Sequence, residues 1–112
     1  MDKIYEQTLL FDFYGELLTE KQREICRMLL QEDLSLGEIS DELGISRQGV
    51  SDAVHRALKA LDNMEQKLHM CERFLEISGH IDQMQQMLQA EASKHELEGQ
   101  LLKMKDSIKI RS

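Results

Sequence analysis

The chain of 112 residues contains no proline and no tryptophan, and aromatic residues make up only 4% of it. Proline breaks helices by removing a backbone N–H and clashing with the preceding turn, so its absence favours long uninterrupted helices. No run approaches the roughly 18 consecutive apolar residues of a membrane span, and no membrane association is expected. The first residues, Met1-Asp2-Lys3-Ile4, lack a basic run followed by an apolar stretch, so no secretory signal is expected either. The two cysteines, Cys26 and Cys71, each sit within a helical apolar pattern. That is not a disulfide framework; both read as small buried hydrophobes, and the usage fits a reducing, cytoplasmic setting. His55, His69, His80 and His95 never recur at i, i+4 with each other, which leaves no metal site. A glycine-rich phosphate loop and a Ser/His/Asp set are both missing. An enzyme, a catalytic residue and a cofactor are therefore not expected.

Hydrophobic residues reach 41% and charged residues 31%, enough for one lean core. Lys and Arg number 14 against 21 Asp and Glu, a net charge of -7. The acid is concentrated: residues 1–45 hold 4 basic and 11 acidic residues, whereas 46–76 and 77–112 each hold 5 of either sign. Such a balance argues against coating nucleic acid without sequence preference but leaves room for a local basic face.

Helix signals follow closely on one another. A first helix is expected over Lys3–Leu18, with Ile4, Leu10, Phe11, Tyr14, Leu17 and Leu18 on its apolar side. Thr19 and Gln22 form a capping box for a second helix that carries Ile25, Cys26, Met28 and Leu29 inward. Ser35 and Glu38 form another, opening a short helix with Leu36, Ile39 and Leu43 on one face, which Gly44 ends in the left-handed conformation. Ser46 caps a fourth helix from Arg47, expected to run without a stop to Ser78-Gly79. Along it Val50, Val54, Ala57, Leu61, Met64, Leu68, Cys71 and Leu75 recur as a heptad seam. About thirty residues at 1.5 Å each make a rod of roughly 45 Å, longer than the small domain ahead of it can cover. The seam is therefore expected to pair two copies or to pack on the tail. In the tail Ile81, Met84 and Leu88 start a stripe that Leu97, Leu101, Met104 and Ile108 continue out of phase. The seven methionines, Met1 included, read mostly as core or interface filler. These signals divide the chain into a helix-turn-helix domain at 1–61 and a long-helix extension at 62–112, a dimerisation or interaction region.

The stretch SLGEISDELGISRQGVSDAVHRALKAL, Ser35–Leu61, carries the functional signal. Two helices are separated by Gly44-Ile45-Ser46, the spacing that sets one helix across another in a helix-turn-helix. Ser40 allows close approach, and Ile45, Val50 and Val54 fill the wedge. The side of the fourth helix opposite Val50 presents Gln48, Asp52, His55, Arg56 and Lys59, with Ser51 on the flank. Arg47 lies in the first turn beside the free N–H groups behind Ser46, within reach of a phosphate. Gly49 either permits close backbone approach or is tolerated cheaply near a helix end. Arg, Gln and Ser are residue types that read base edges or hold the backbone of DNA. Three readings of this face stand: a DNA-reading surface, a surface for protein or RNA, and a solvated face on which Asp52 and Arg56 form an ordinary i, i+4 pair.

The same stretch resembles region 4 of bacterial sigma factors. Together with FDFYGELLTEKQ at Phe11–Gln22, and continued to Met70, it is similar to the YlxM family of small bacterial helix-turn-helix proteins. The resemblance covers about residues 4–78. It implies an all-α fold with a sigma region 4-like domain followed by long helices, and a cytosolic regulatory or accessory role. Members are typically encoded beside genes of the signal recognition particle, which implies a link to that pathway. Base reading of the sigma type carries over only to Arg47, Gln48, Ser51, Asp52, His55 and Arg56. The expected partners are DNA and a second copy of the chain, with an RNA or protein of the signal recognition particle as the alternative.

Overall fold

The computed structural model describes residues 2–108; Met1 and the end of the extension, 109–112, lie outside the described residues. Among the described residues there are six α-helices and no strand: α1 (Lys3–Tyr14), α2 (Glu20–Cys26), α3 (Leu36–Leu43), α4 (Arg47–Leu68), α5 (Met70–Gln89) and α6 (Lys94–Ser107). The chain divides into two compact units, one ending at His69 and the other beginning at Met70. No helix among the described residues is long and apolar enough to cross a membrane.

In the first unit α4 packs against α1, α2 and α3. Met28, Ile39 and Val50 form a buried cluster, with Leu29, Leu34 and Val54 packed on it. Leu10, Phe11, Tyr14 and Leu18 are also buried, as are Ile25, Cys26, Ala57 and Leu61. Tyr14 fixes α1 to the far half of α4 by donating its phenol proton to Glu65 Oε1 at 2.5 Å.

Side chains close the free N–H groups where the helices start. Thr19 Oγ1 accepts from the Gln22 N–H and the Thr19 N–H donates to Gln22 Oε1, both at 3.2 Å. Ser35 and Glu38 reciprocate in the same way at 3.1 and 3.0 Å. Hydrogen bonding from Ser35 to the Glu38 carboxyl, from the backbone N–H foremost and then from the hydroxyl, holds that carboxyl below its usual range. Burial pushes the Cys26 thiol up to about 11.

Three expectations are corrected, for the first helix, the fourth and the tail, and the second helix adds a feature no pattern announced. Helix α1 stops at Tyr14, and a tighter turn of 3-10 type over Gly15–Leu17 follows. Three residues per turn rotate Leu17 away from the apolar side, and both it and Ile4 are exposed. The second helix does not end where its α-helical bonds do. It widens into a π-turn over Arg27–Gln31, with the Glu32 N–H donating to the Arg27 carbonyl at 3.0 Å.

The fourth helix ends at Leu68 rather than at Ser78-Gly79, because His69 takes the left-handed conformation (φ 56°, ψ 28°). Histidine is among the few non-glycine residues enriched there. Val50, Ala57 and Leu61 are buried and Val54 half-buried, so the chain's own helices cover the front half of the supposed pairing seam. Helix α5 in turn runs straight through Gly79.

The tail is also two helices rather than one. Glu91 is left-handed (φ 55°), and Ser93 caps α6 by accepting from the Glu96 N–H at 3.2 Å. This turn explains why the stripe from Leu97 is out of phase with the one from Ile81. Helix α6 folds back on α5, where buried Gln100 meets His80 Nδ1 at 3.2 Å.

Candidate nucleic-acid interface

Helix α3, the turn and α4 form one tightly braced unit. Gly44 adopts φ 66° and ψ 31°, and its N–H donates to the Ser40 carbonyl at 2.9 Å. A Cβ at this φ would be strained, which is why glycine stands here. Ser40 does more than allow close approach: its hydroxyl donates to the Ile45 carbonyl at 2.5 Å, pinning the turn to α3. Ile39 and Val50 lock the two helices together from the buried side. Ile45 does not fill the wedge as expected; it is 43% exposed, because the turn carries its side chain outward.

Ser46 caps α4, its Oγ accepting from the Gly49 N–H at 3.0 Å. A Cβ on Gly49 would stand 3.1 Å from that same Oγ, so the missing side chain makes room for the cap itself. The remaining first-turn N–H groups lie at the end of a helix of about six turns, free to meet a phosphate docked on it.

The sequence-predicted side chains share one surface. Ser46, Arg47, Gln48, Asp52, His55, Arg56 and Lys59 are exposed, and Gly49 and Ser51 are half-buried beside them. Gln48 Nε2 donates to Asp52 Oδ1 at 2.9 Å. Asp52 thus partners Gln48, and Arg56 is in no ion pair among the described residues, nor are Arg47 and Lys59. Three unpaired cations flank one amide–carboxylate pair, which is a surface able to hold phosphates around a central polar contact.

Two contributors were not visible in the order of residues. Gly37, in the first turn of α3, seats the Arg47 guanidinium: a Cβ there would lie 3.3 Å from Nη2 and 3.5 Å from Cζ. Lys21 of α2 shares with Arg56 an open cleft of about 710 Å³, floored by Ile25, Ile45 and Ala53 and edged by Glu20 and Glu24. Both contacts join helices that are distant in sequence, so neither leaves a local signal. No cluster of three or more His, Cys, Asp or Glu side chains placed to hold a metal ion occurs among the described residues.

Two capped helices set across each other by a three-residue turn, with the second presenting an open polar side, define a helix-turn-helix protein. The chain belongs to the UPF0122 family, described as "Putative helix-turn-helix protein, YlxM / p13 like", whose profile matches residues 1–103. The match runs through α5 into α6, farther than the resemblance read over residues 4–78. This is a helix-turn-helix family and not an enzyme family.

Among similar proteins, a UPF0122 protein of Acetivibrio thermocellus is 54% identical over 76 residues, 68% of this chain and 65% of its own length. One from Thermoanaerobacter sp. is 43% identical over 107 residues, 96% of this chain and 91% of its own. One from Halalkalibacterium halodurans is 38% identical over 97 residues, 87% and 89% respectively.

Proposed function

We propose that the chain is a cytoplasmic regulatory protein that reads duplex DNA with the first half of α4. The observation that carries this reading is the exposed face of Gln48, Asp52, His55, Arg56 and Lys59, braced by α3 and flanked by unpaired Arg47. Arg47 and Lys59 serve phosphates, which position the helix without reading sequence. Gln48, Ser51 and Arg56 serve base edges in the major groove, and Asp52 accepts from a cytosine amino group when Gln48 turns to its base. Two copies acting together would double this small footprint and require two half-sites about 34 Å apart.

The test uses a duplex selected from genomic fragments and fluorescence anisotropy. Replacing Gln48 or Arg56 by alanine should cost about 1–3 kcal/mol on the selected site and little on unrelated duplex. Variants that bind the selected site as tightly as the parent would remove the reading face from these residues.

A second reading is favoured by the net charge of -7 and by the carboxylate in the middle of the face. In it the same surface holds a protein or RNA of the signal recognition particle, and the chain is an accessory factor of that pathway. Indifference to duplex DNA, with binding to the particle's RNA or GTPase, would select this reading.

A further inference from the structure

Along α4, Gly49, Ala53 and Arg56 recur at spacings of four and three residues and so share one side of the helix. At about 100° per residue that side lies roughly a quarter turn from the one carrying Gln48, Asp52 and His55. Gly49 and Ala53 offer at most a methyl group there, and between them and α2 the first unit leaves its open cleft of about 710 Å³. That volume falls within the range of small-molecule sites, about 300–1,000 Å³. The apolar lining is Ile25, Leu43, Ile45 and Ala53, of which Leu43 and Ile45 stay 37% and 43% exposed.

The free polar groups around the cleft are mostly donors. Lys21 from α2 and Arg56 from α4 are both exposed and in no ion pair among the described residues. Gln22 Oε1 already accepts from the Thr19 N–H at 3.2 Å, which leaves that side chain its amino group. Two carboxylates also line the cleft, Glu20 and Glu24. Glu24 is held by Arg27 at 2.8 Å, and both border a second hollow lined by Arg23 and Arg27. Two cations and an amino group against one unengaged carboxylate suit an anion, and the apolar floor suits a hydrocarbon attached to it.

We infer that this cleft binds a small amphipathic carboxylate, its head between Lys21 and Arg56 and its apolar body on Ile25, Leu43 and Ile45. Arg56 stands at the boundary of both sides of α4, so such a ligand and duplex DNA compete for it. That regulatory consequence rests on the DNA reading, whereas the binding site does not.

The probe is octanoate, titrated into the full chain by calorimetry without nucleic acid. It should bind saturably, with a dissociation constant of about 1 mM or tighter. Octylammonium, with the same body and the opposite charge, should not. Lys21→Ala should weaken octanoate roughly tenfold, the scale of a hydrogen bond to a charged group, while Glu20→Gln should tighten it. Ala53→Leu, which fills the floor, should abolish binding with helical circular dichroism retained. Should that variant fail to fold, Lys21→Ala on the exposed rim decides alone.

In anisotropy, octanoate should release duplex from the wild type and not from Lys21→Ala, which should bind duplex normally without octanoate. No saturable octanoate binding, equal binding of octylammonium, or parent affinity for octanoate in Lys21→Ala overturns the inference. So does weaker duplex binding by Lys21→Ala in the absence of octanoate, which would give the cleft to a DNA backbone. A chain that binds octanoate as described but no duplex would uphold the site and overturn the DNA reading instead.

Discussion

Gln48 and Asp52, one helical turn apart on the open side of α4, are joined by a hydrogen bond of 2.9 Å from the amide to the carboxylate. The amide placed best for a base edge is thereby held by the one acidic residue on that face. If α4 reads DNA as proposed, duplex binding breaks or shares this bond, and Asp52 would then restrain affinity. Asp52→Ala should release Gln48 and remove a repulsive charge, tightening binding to unrelated duplex several-fold while narrowing the preference for the selected site. Anisotropy on both duplexes reads the two effects separately. Unchanged affinity for both would show that the pair faces away from DNA.

Arg47 and Gly37 separate stability from binding. A Cβ at Gly37 meets only the flexible end of Arg47, 3.3 Å from Nη2, and alanine favours a helix over glycine by up to about 1 kcal/mol. Gly37→Ala should therefore raise the midpoint of urea unfolding slightly while displacing the guanidinium and weakening duplex binding. Equal movement of both quantities in the same direction would contradict the seating of Arg47.

The turn itself has a defined sensitivity. Gly44 has φ 66° with nothing within 4 Å of an added Cβ, so the effect of substitution is backbone strain without a clash. Gly44→Ala should cost about 1–2 kcal/mol in denaturant unfolding. Gly44→Asn should recover part of that loss, since asparagine tolerates this conformation.

Cys26 gives the first unit an alkaline limit. Its thiol is 1% exposed and burial raises it from about 9 to about 11. A group whose folded value is raised contributes stability that is fully present below the unfolded value and lost as pH rises through the folded one. The contribution should fade between about pH 9 and 11. In Cys26→Ala that part of the alkaline loss should vanish, leaving a smaller difference in unfolding free energy between pH 8.5 and 11 than in the wild type.

Features fixed by a few adjacent residues were legible in the sequence, and those fixed across helices were not. Thr19 with Gln22, Ser35 with Glu38, Gly44 and Ser46 are self-contained pieces of capping chemistry, and each stands where the pattern placed it. The helix-turn-helix followed from them. The end of α4 was not legible, because His69 reaches the left-handed region without the glycine that usually announces it. Gly79 misled for the opposite reason: one glycine costs a long helix too little to stop it. Ser93 and Glu96 repeat the capping signature seen twice earlier, and marked the start of α6 inside what read as one irregular stripe. The seat of Arg47 on Gly37 and the cleft shared by Lys21 and Arg56 join residues from different helices, which periodicity along a single helix does not reveal.

The most direct measurement is a fluorescence-anisotropy titration of the purified chain against a duplex selected from genomic fragments, and against signal recognition particle RNA, at two salt concentrations. With Arg47 and Lys59 as the phosphate-facing cations, binding to the duplex should weaken with salt at a logarithmic slope of about -2 per copy engaged. The selected duplex should also outcompete unrelated duplex. No salt-sensitive duplex binding at either concentration would contradict a DNA-reading role for α4 and give this face to another partner.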